Sequence, residues 1–214
     1  MTKLILVRHG ESLANEKGIF VGHTDVELTA RGYKQAEITA KYIASKYVIN
    51  ALYTSDLKRA YKTGKAIAKE LCITIKTEKD LREIYGGEWE EHTFDRLQVQ
   101  FSDDYSVWLK DIGKSRCTGG ESVKQLGNRI SRVITRIAEE NVDKTVVIVT
   151  HGTPIRVMQC LCSRQTLGEM KEIPFVSNAS ITIVDYHGGG KFEVIENGVD
   201  EHLKEIRTVL PDNV

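Results

Sequence analysis

The chain has 214 residues, 41% of them hydrophobic, enough to bury one core as a single domain over residues 1–214. Lys plus Arg (30) equals Asp plus Glu (30), so no global field draws the chain to nucleic acid or to an anionic membrane. No apolar run approaches membrane-spanning length, and Leu4–Val7 is too short for a signal-peptide core.

In chain order, Leu4-Ile5-Leu6-Val7 lies between Lys3 and Arg8. Such an unbroken apolar run predicts a strand buried on both faces, as in a parallel sheet. Ligands collect at the carboxyl ends of such strands, and here that end carries Arg8-His9-Gly10. A loop over Gly10–Glu27 follows, with Ser12, Asn15 and His23. Thr29 is the expected N-cap of a helix ending near Lys46. Ala51–Thr54 reads as a short strand. Ser55 is the expected N-cap of a helix reaching Leu71, with Asp56 favourable in its first turn. Its candidate core residues include Leu57, Ala60, Tyr61 and Ile67. Ile73–Lys76 is a further strand.

The region from Leu81 to about Gly120 breaks this rhythm. It holds Tyr85, Trp89, Phe94, Phe101, Tyr105 and Trp108, and the spacing of the last four predicts two short helices. We read residues 84–120 as a small helical insertion with its own aromatic core, or as a lid whose aromatics shape a pocket. A helix spans roughly Ser122–Glu139. Thr145–Thr150 is a second buried strand, ending in His151-Gly152. Thr153-Pro154 reads as the N-cap and first residue of the next helix. Ile181–Tyr186 and Lys191–Ile195 flank His187-Gly188-Gly189-Gly190, a hairpin signal that suits a sheet edge. Together these elements predict a three-layer αβα fold. Its central sheet is mostly parallel, with one antiparallel edge strand and a small helical lid insertion. Cys72, Cys117, Cys160 and Cys162 contain no CxxC pair and read as buried reduced thiols, which fits a cytoplasmic protein.

Two strand–His–Gly units can bring two imidazoles to one edge of one sheet. Arg8 presents a flat fork of donors that matches phosphate oxygens. Gly10 lets the backbone approach an anion, and His151 precedes a helix start, where N–H groups and the dipole favour negative charge. Neutral imidazole is a nucleophile near pH 7. His9 would attack phosphorus, and His151 would hold the equatorial oxygens. No HExxH or comparable ligand spacing occurs, so metal-independent chemistry is expected.

The residues Arg8-His9-Gly10-Glu11, Asn15, Gly22, Asp25, Leu28-Thr29, Gly32 and Gln35-Ala36 form an ordered set. It continues through Ser55-Asp56-Leu57, Arg59-Ala60, Leu81, Glu83, Gly87-Glu88-Trp89-Glu90, Gly119-Gly120-Glu121-Ser122 and Thr150-His151-Gly152. This set resembles the histidine phosphatase superfamily, also called phosphoglycerate mutase-like, and within it the phosphatase branch. The resemblance implies that His9 becomes phosphohistidine, with Arg8, Arg59 and His151 around the phosphoryl group. It implies that Glu83 protonates the leaving oxygen and later helps activate water. Asn15 would contact phosphate oxygens, with Ser12 and Gly152 as further phosphate-binding candidates. From residue chemistry alone, Lys58 competes with Arg59, and the cluster Glu88, Glu90 and Glu91 reads as a solvated face.

The resemblance also implies hydrolysis of a small phosphorylated metabolite without cofactor, nucleic acid or membrane, with a homodimer left open. One alternative is a cofactor-dependent phosphoglycerate mutase. Those relatives usually carry a tandem arginine pair after the catalytic glutamate, and none occurs here. The other is a non-catalytic phospho-ligand binding module, which a missing nucleophile or acid would signal; both are present.

Overall fold

The computed structural model describes residues 1–163 and 165–209. Six strands form one sheet in the order β3-β2-β4-β1-β5-β6. They are β1 Thr2–Arg8, β2 Ala51–Thr54, β3 Ile75–Thr77, β4 Thr145–Thr150, β5 Ile181–Tyr186 and β6 Phe192–Val199. The helices are α1 Leu13–Lys17, α2 Ala30–Lys46, α3 Lys58–Leu71, α4 Phe94–Gln100, α5 Ser102–Lys110, α6 Val123–Glu140 and α7 Gly152–Cys162.

The two apolar runs sit side by side at the centre of the sheet because both faces there are covered. Alternate residues point to opposite faces. Leu4, Leu6, Val146 and Ile148 pack under α6 and α7. Ile5, Val7, Val147 and Val149 pack under α2 and α3. On α6 the buried Leu126, Ile130, Val133, Ile134 and Ile137 recur at helical spacing, one stripe toward the sheet. No helix among the described residues is long and apolar enough to cross a membrane.

β1 and β4 pair in parallel with Arg8 opposite Thr150. The next residues, His9 and His151, therefore leave the sheet together. β5 runs antiparallel to β1, with Val7 opposite Ile181, and β6 closes the edge as the second arm of the hairpin. Because β5 runs backwards, its start lies at the histidine edge. That places Pro174–Ser180 beside Arg8.

Local boundaries differ from expectation where a residue found a tertiary partner. The third strand is Ile75–Thr77, shifted to pair with β2, and β6 extends to Val199. The expected loop over Gly10–Glu27 contains α1, closed by a capping box between Ser12 and Asn15. The N-cap of α3 is Leu57, without a side-chain cap bond, not Ser55. The N-cap of α7 is His151, not Thr153. Leu57, Ala60 and Ile67 enter the core, but Tyr61 stays exposed. Cys117 and Cys160 are buried, as expected, whereas Cys72 is exposed in the left-handed residue that ends α3.

The aromatics of residues 84–120 pack on one another and on Phe20. Trp89 is fully buried, with Phe20, Tyr105 and Trp108 edge-on at ring-centre distances of 5.7, 5.5 and 5.7 Å. Phe94 and Trp108 also reach the wall of the cavity above His9.

Candidate active site

The strand ends converge on a cavity lined by Arg8, His9, Ser12, Asn15, Arg59, Glu83 and Thr153 on its polar side. Ile19, Phe20, Val21, Phe94, Trp108 and Phe175 form its apolar side. The ring centres of His9 and His151 are 5.1 Å apart, inclined at 61°.

His9 is buried, and its Nδ1 lies 2.7 Å from the Gly10 carbonyl oxygen. That oxygen can only accept, so Nδ1 carries the hydrogen and Nε2 keeps its lone pair. Burial, then the charges of Arg59 and Arg8, hold the ring well below its ordinary pKa of 6.5, so it is neutral at pH 7. Gly10 is required for packing: a Cβ there would lie 2.4 Å from the Gly32 carbonyl oxygen. Its amide donates to Thr63 Oγ1 at 3.0 Å, and that hydroxyl donates to the Arg59 carbonyl at 2.8 Å. The histidine loop is thereby tied to α3.

Arg8 Nη1 donates to the Val176 carbonyl at 2.6 Å, and the guanidinium lies 5.2 Å from the centre of the Phe175 ring. Its Nε has no partner among the described residues. Arg59 is almost fully buried; Nη1 donates to the Thr24 carbonyl at 3.0 Å and Nη2 to that of Gly22 at 2.8 Å. Desolvation lowers both arginines to about 10, partly opposed by Glu83, so both remain charged at neutral pH. Lys58 does not line the cavity; its Nζ lies 3.8 Å from Asp25.

His151 is fully buried, with Nε2 2.8 Å from Ser55 Oγ and Nδ1 without a partner among the described residues. Burial, then Arg59 and His9, keep it neutral as well. Ser55, expected as a helix cap, instead orients this ring. Glu83 Oε1 accepts from the Ile84 amide at 2.7 Å and Oε2 from the Thr153 amide at 3.2 Å. The expected cap residue Thr153 therefore holds the Glu83 carboxylate through its backbone. Asp56 pairs with Arg82 through two bonds of 2.7 and 2.6 Å, which fastens the start of α3 to the segment carrying Glu83.

Ser12 and Asn15 both line the cavity, but Ser12 Oγ is committed to the capping box. Asn15 Oδ1 accepts from Ser12 and from Asn178 Nδ2 at 3.1 Å, which leaves its Nδ2 as the end able to donate to an anion. Gly152 does not line the cavity; it lies under the Phe175 ring.

The glutamate cluster is not a uniform solvated face. Glu90 Oε1 accepts from the amides of His23 and Gly86 at 2.8 and 3.0 Å, and Oε2 from the amide and hydroxyl of Thr24. It thus secures the loop whose carbonyls hold Arg59. Glu88 and Glu91 are exposed. His23 Nε2 lies 3.0 Å from the Glu83 carbonyl, while His92, His187 and His202 bond to Glu90, Glu193 and Thr39 away from the cavity.

Sequence reasoning missed Phe175, Val176 and Asn178. The antiparallel hairpin was the available signal, because it sends the start of β5 to the histidine edge. It missed Thr63 and the true role of Ser55, whose local patterns read as ordinary helix interior and cap.

A sequence profile of the Histidine phosphatase superfamily (branch 1) matches residues 4–197. Phosphoserine phosphatase 1 of Hydrogenobacter thermophilus is 33% identical over 160 residues, 75% of each chain. The structure of Bacillus stearothermophilus YhfR superposes with a TM-score of 0.90 at 27% identity, over 95% of this chain and 100% of that one. A mutant phosphoserine phosphatase of Entamoeba histolytica in complex with phosphoserine gives 0.84 at 28% identity, over 95% and 100%. The profile runs from the first histidine strand through the insertion to beyond the second, and the chain therefore belongs to branch 1 of the histidine phosphatase superfamily, as a phosphatase.

Proposed function

We propose that this phosphatase hydrolyses small phosphomonoesters through a phosphohistidine on His9. The carrying observation is the free Nε2 lone pair of a neutral ring between two buried guanidinium groups. Nε2 attacks phosphorus as the bond to the ester oxygen breaks, and the bond's electron pair goes to that oxygen. Glu83, protonated at this point, gives the oxygen its proton. Arg8, Arg59 and Asn15 gather the charge on the equatorial phosphoryl oxygens, and His151, buried beside His9 rather than on the cavity wall, backs that ring. In the second half water attacks phosphorus and gives its proton to Glu83. The N–P bond breaks, orthophosphate leaves, and His9 and Glu83 return to their starting forms.

The guanidinium groups supply the positive charge that this route needs, so it requires no metal. The alcohol portion rests on Ile19, Phe20, Val21, Phe94 and Trp108. Phosphoserine, named for two of the relatives, is the first metabolite to test. The free cysteines fit action in the cytoplasm.

The test is rapid acid-free quenching with a radiolabelled phosphate ester, in chelator. The expected result is an acid-labile, base-stable label on the protein, absent in His9→Ala, with turnover in that variant lost. Turnover undiminished in His9→Ala, or abolished by chelator, refutes the reading.

A further inference from the structure

The segment carrying Glu83 has little regular structure of its own. One helical turn at Lys79–Leu81 precedes it, and Gly87 begins the next. Beside the His23 ring, whose Nε2 lies 3.0 Å from the Glu83 carbonyl, one side chain of α6 holds it from outside. Arg129 Nη1 donates to the carbonyls of Asp80 and Arg82 at 2.8 and 2.9 Å. Its Nη2 donates to the Glu83 carbonyl at 3.1 Å and to Glu121 Oε2 at 2.7 Å, and its Nε to Glu121 Oε1 at 3.1 Å. Glu121 Oε2 also accepts from the Tyr85 amide at 3.1 Å, and the Glu121 amide donates to the Tyr85 carbonyl at 2.8 Å. The two side chains keep only 15% and 14% of their surface exposed.

We propose that the Arg129–Glu121 ion pair positions Glu83 for proton transfer to the leaving oxygen. The argument turns on one peptide plane. The Glu83 carbonyl and the Ile84 amide belong to the same rigid unit. Arg129 Nη2 holds the oxygen of that unit, and Glu83 Oε1 rests on its N–H at 2.7 Å. Turning the plane moves both ends together, so fixing the carbonyl fixes the donor that aims the carboxyl group. Glu121 grips the chain two residues on through the Tyr85 amide, so the chain is held on both sides of the acid.

Arg129 also borders an open groove with His23, Arg116 and Gln125, which raises the alternative of an anion receptor. A guanidinium has five N–H donors, and Arg129 makes five hydrogen bonds within the protein. It has no donor to offer a ligand, and its work is internal.

This inference rests on the proposed role of Glu83 as the acid, and the test separates the two. An alkyl phosphate needs its leaving oxygen protonated, whereas dinitrophenolate departs without help. Removing one member of a largely buried pair leaves its partner unbalanced, so the conservative Arg129→Lys is the primary variant. It keeps the charge but loses the planar fork. Relative to wild type, kcat/KM for glycerol phosphate should fall about 100-fold, the scale of an ångström-sized misplacement. For dinitrophenyl phosphate it should fall far less, and kcat should carry the loss rather than KM. Glu83→Gln should show the same leaving-group dependence, and Glu83→Gln/Arg129→Lys should be no worse than Glu83→Gln alone.

Equal losses on both esters in a variant that melts like wild type overturn the positioning role, as does unimpaired glycerol phosphate turnover. Glu83→Gln without leaving-group dependence overturns the acid itself and this inference with it. Dependence in Glu83→Gln but not in Arg129→Lys overturns only the positioning role. If Arg129→Lys does not fold, Glu121→Gln takes its place with the same expected pattern and the same refuting outcomes, since it keeps an acceptor for the Tyr85 amide.

Discussion

Gly152 is the first residue of α7 and directly follows His151, and its missing side chain is filled by an aromatic ring. A Cβ at this position would lie 2.1 Å from Phe175 Cε1 and 2.8 Å from Cζ. In Gly152→Ala the ring must therefore retreat by more than an ångström to reach ordinary contact. Overpacking of this kind costs about 2 kcal/mol. For a chain of this size that corresponds to a fall in Tm of about 4–8 °C. The same ring lies 5.2 Å from Arg8 and 5.3 Å from Arg156, and the next residue, Val176, accepts from Arg8 at 2.6 Å. Losing the stacked geometry at Arg8 is worth about 1 kcal/mol, roughly a fivefold fall in kcat/KM. Urea unfolding and steady-state kinetics on one aryl phosphate measure both effects. The decisive comparison is a double-mutant cycle with Phe175→Leu, which removes the clashing ring edge. Gly152→Ala should cost much less in that background. An equal cost in both backgrounds would refute the reasoning, because it would place the strain somewhere other than Phe175.

The remaining predictions concern protons and buried anchors. His9 and His151 are held well below 6.5, first by burial and then by neighbouring positive charge. Below about pH 6.5 the unfolded chain takes up a proton at each of these two rings that the native state refuses, and burial lowers His23 and His202 in the same direction. The part of the stability owed to His9 and His151 is thus fully present above that value and falls with falling pH, by up to about 2.7 kcal/mol per pH unit. Urea titrations across this window should show the slope, and His9→Asn/His151→Asn should reduce it; an unchanged slope in the double variant sinks the assignment. Glu90→Ala leaves the amides of Gly86, His23 and Thr24 without their acceptor. It should cost about 1–3 kcal/mol of stability. By loosening the carbonyls that hold Arg59, it should also weaken inhibition by inorganic phosphate; an unchanged inhibition constant would sever that link. Thr63→Val keeps the volume but unpairs the Gly10 amide and removes the hydroxyl's added bond to the Arg59 carbonyl, so about 2 kcal/mol should be lost and Thr63→Ser should restore it. A Thr63→Val variant as stable as wild type would show that these groups find other partners.

Much of the architecture follows from local pattern. The runs at Leu4–Val7 and Val146–Val149 have only one stable placement, side by side in a sheet covered on both faces, because no other arrangement removes both faces from water. His9 and His151 follow those runs directly, so their convergence is nearly a consequence of strand pairing. Arg8 comes with them. The short-range signals that failed did so for one reason. Ser55 and Thr153 have the chemistry of helix caps, but a hydroxyl facing a buried imidazole, and an amide facing a carboxylate, are claimed by those partners first.

What the chain's linear order leaves open is which distant groups finish the site. Arg59 and Lys58 are equivalent as sequence, and only the turn of α3 sends one to the cavity and the other to Asp25. Glu83 and Glu90 are both members of an acidic stretch, yet one faces the cavity while the other is surrounded by backbone N–H groups. Phe175 and Asn178 arrive because β5 runs against β1. Periodic burial is a local property and can be read along the chain, whereas a hydrogen bond between residues 83 and 129, or 10 and 63, exists only after the layers have closed and brought their donors within reach.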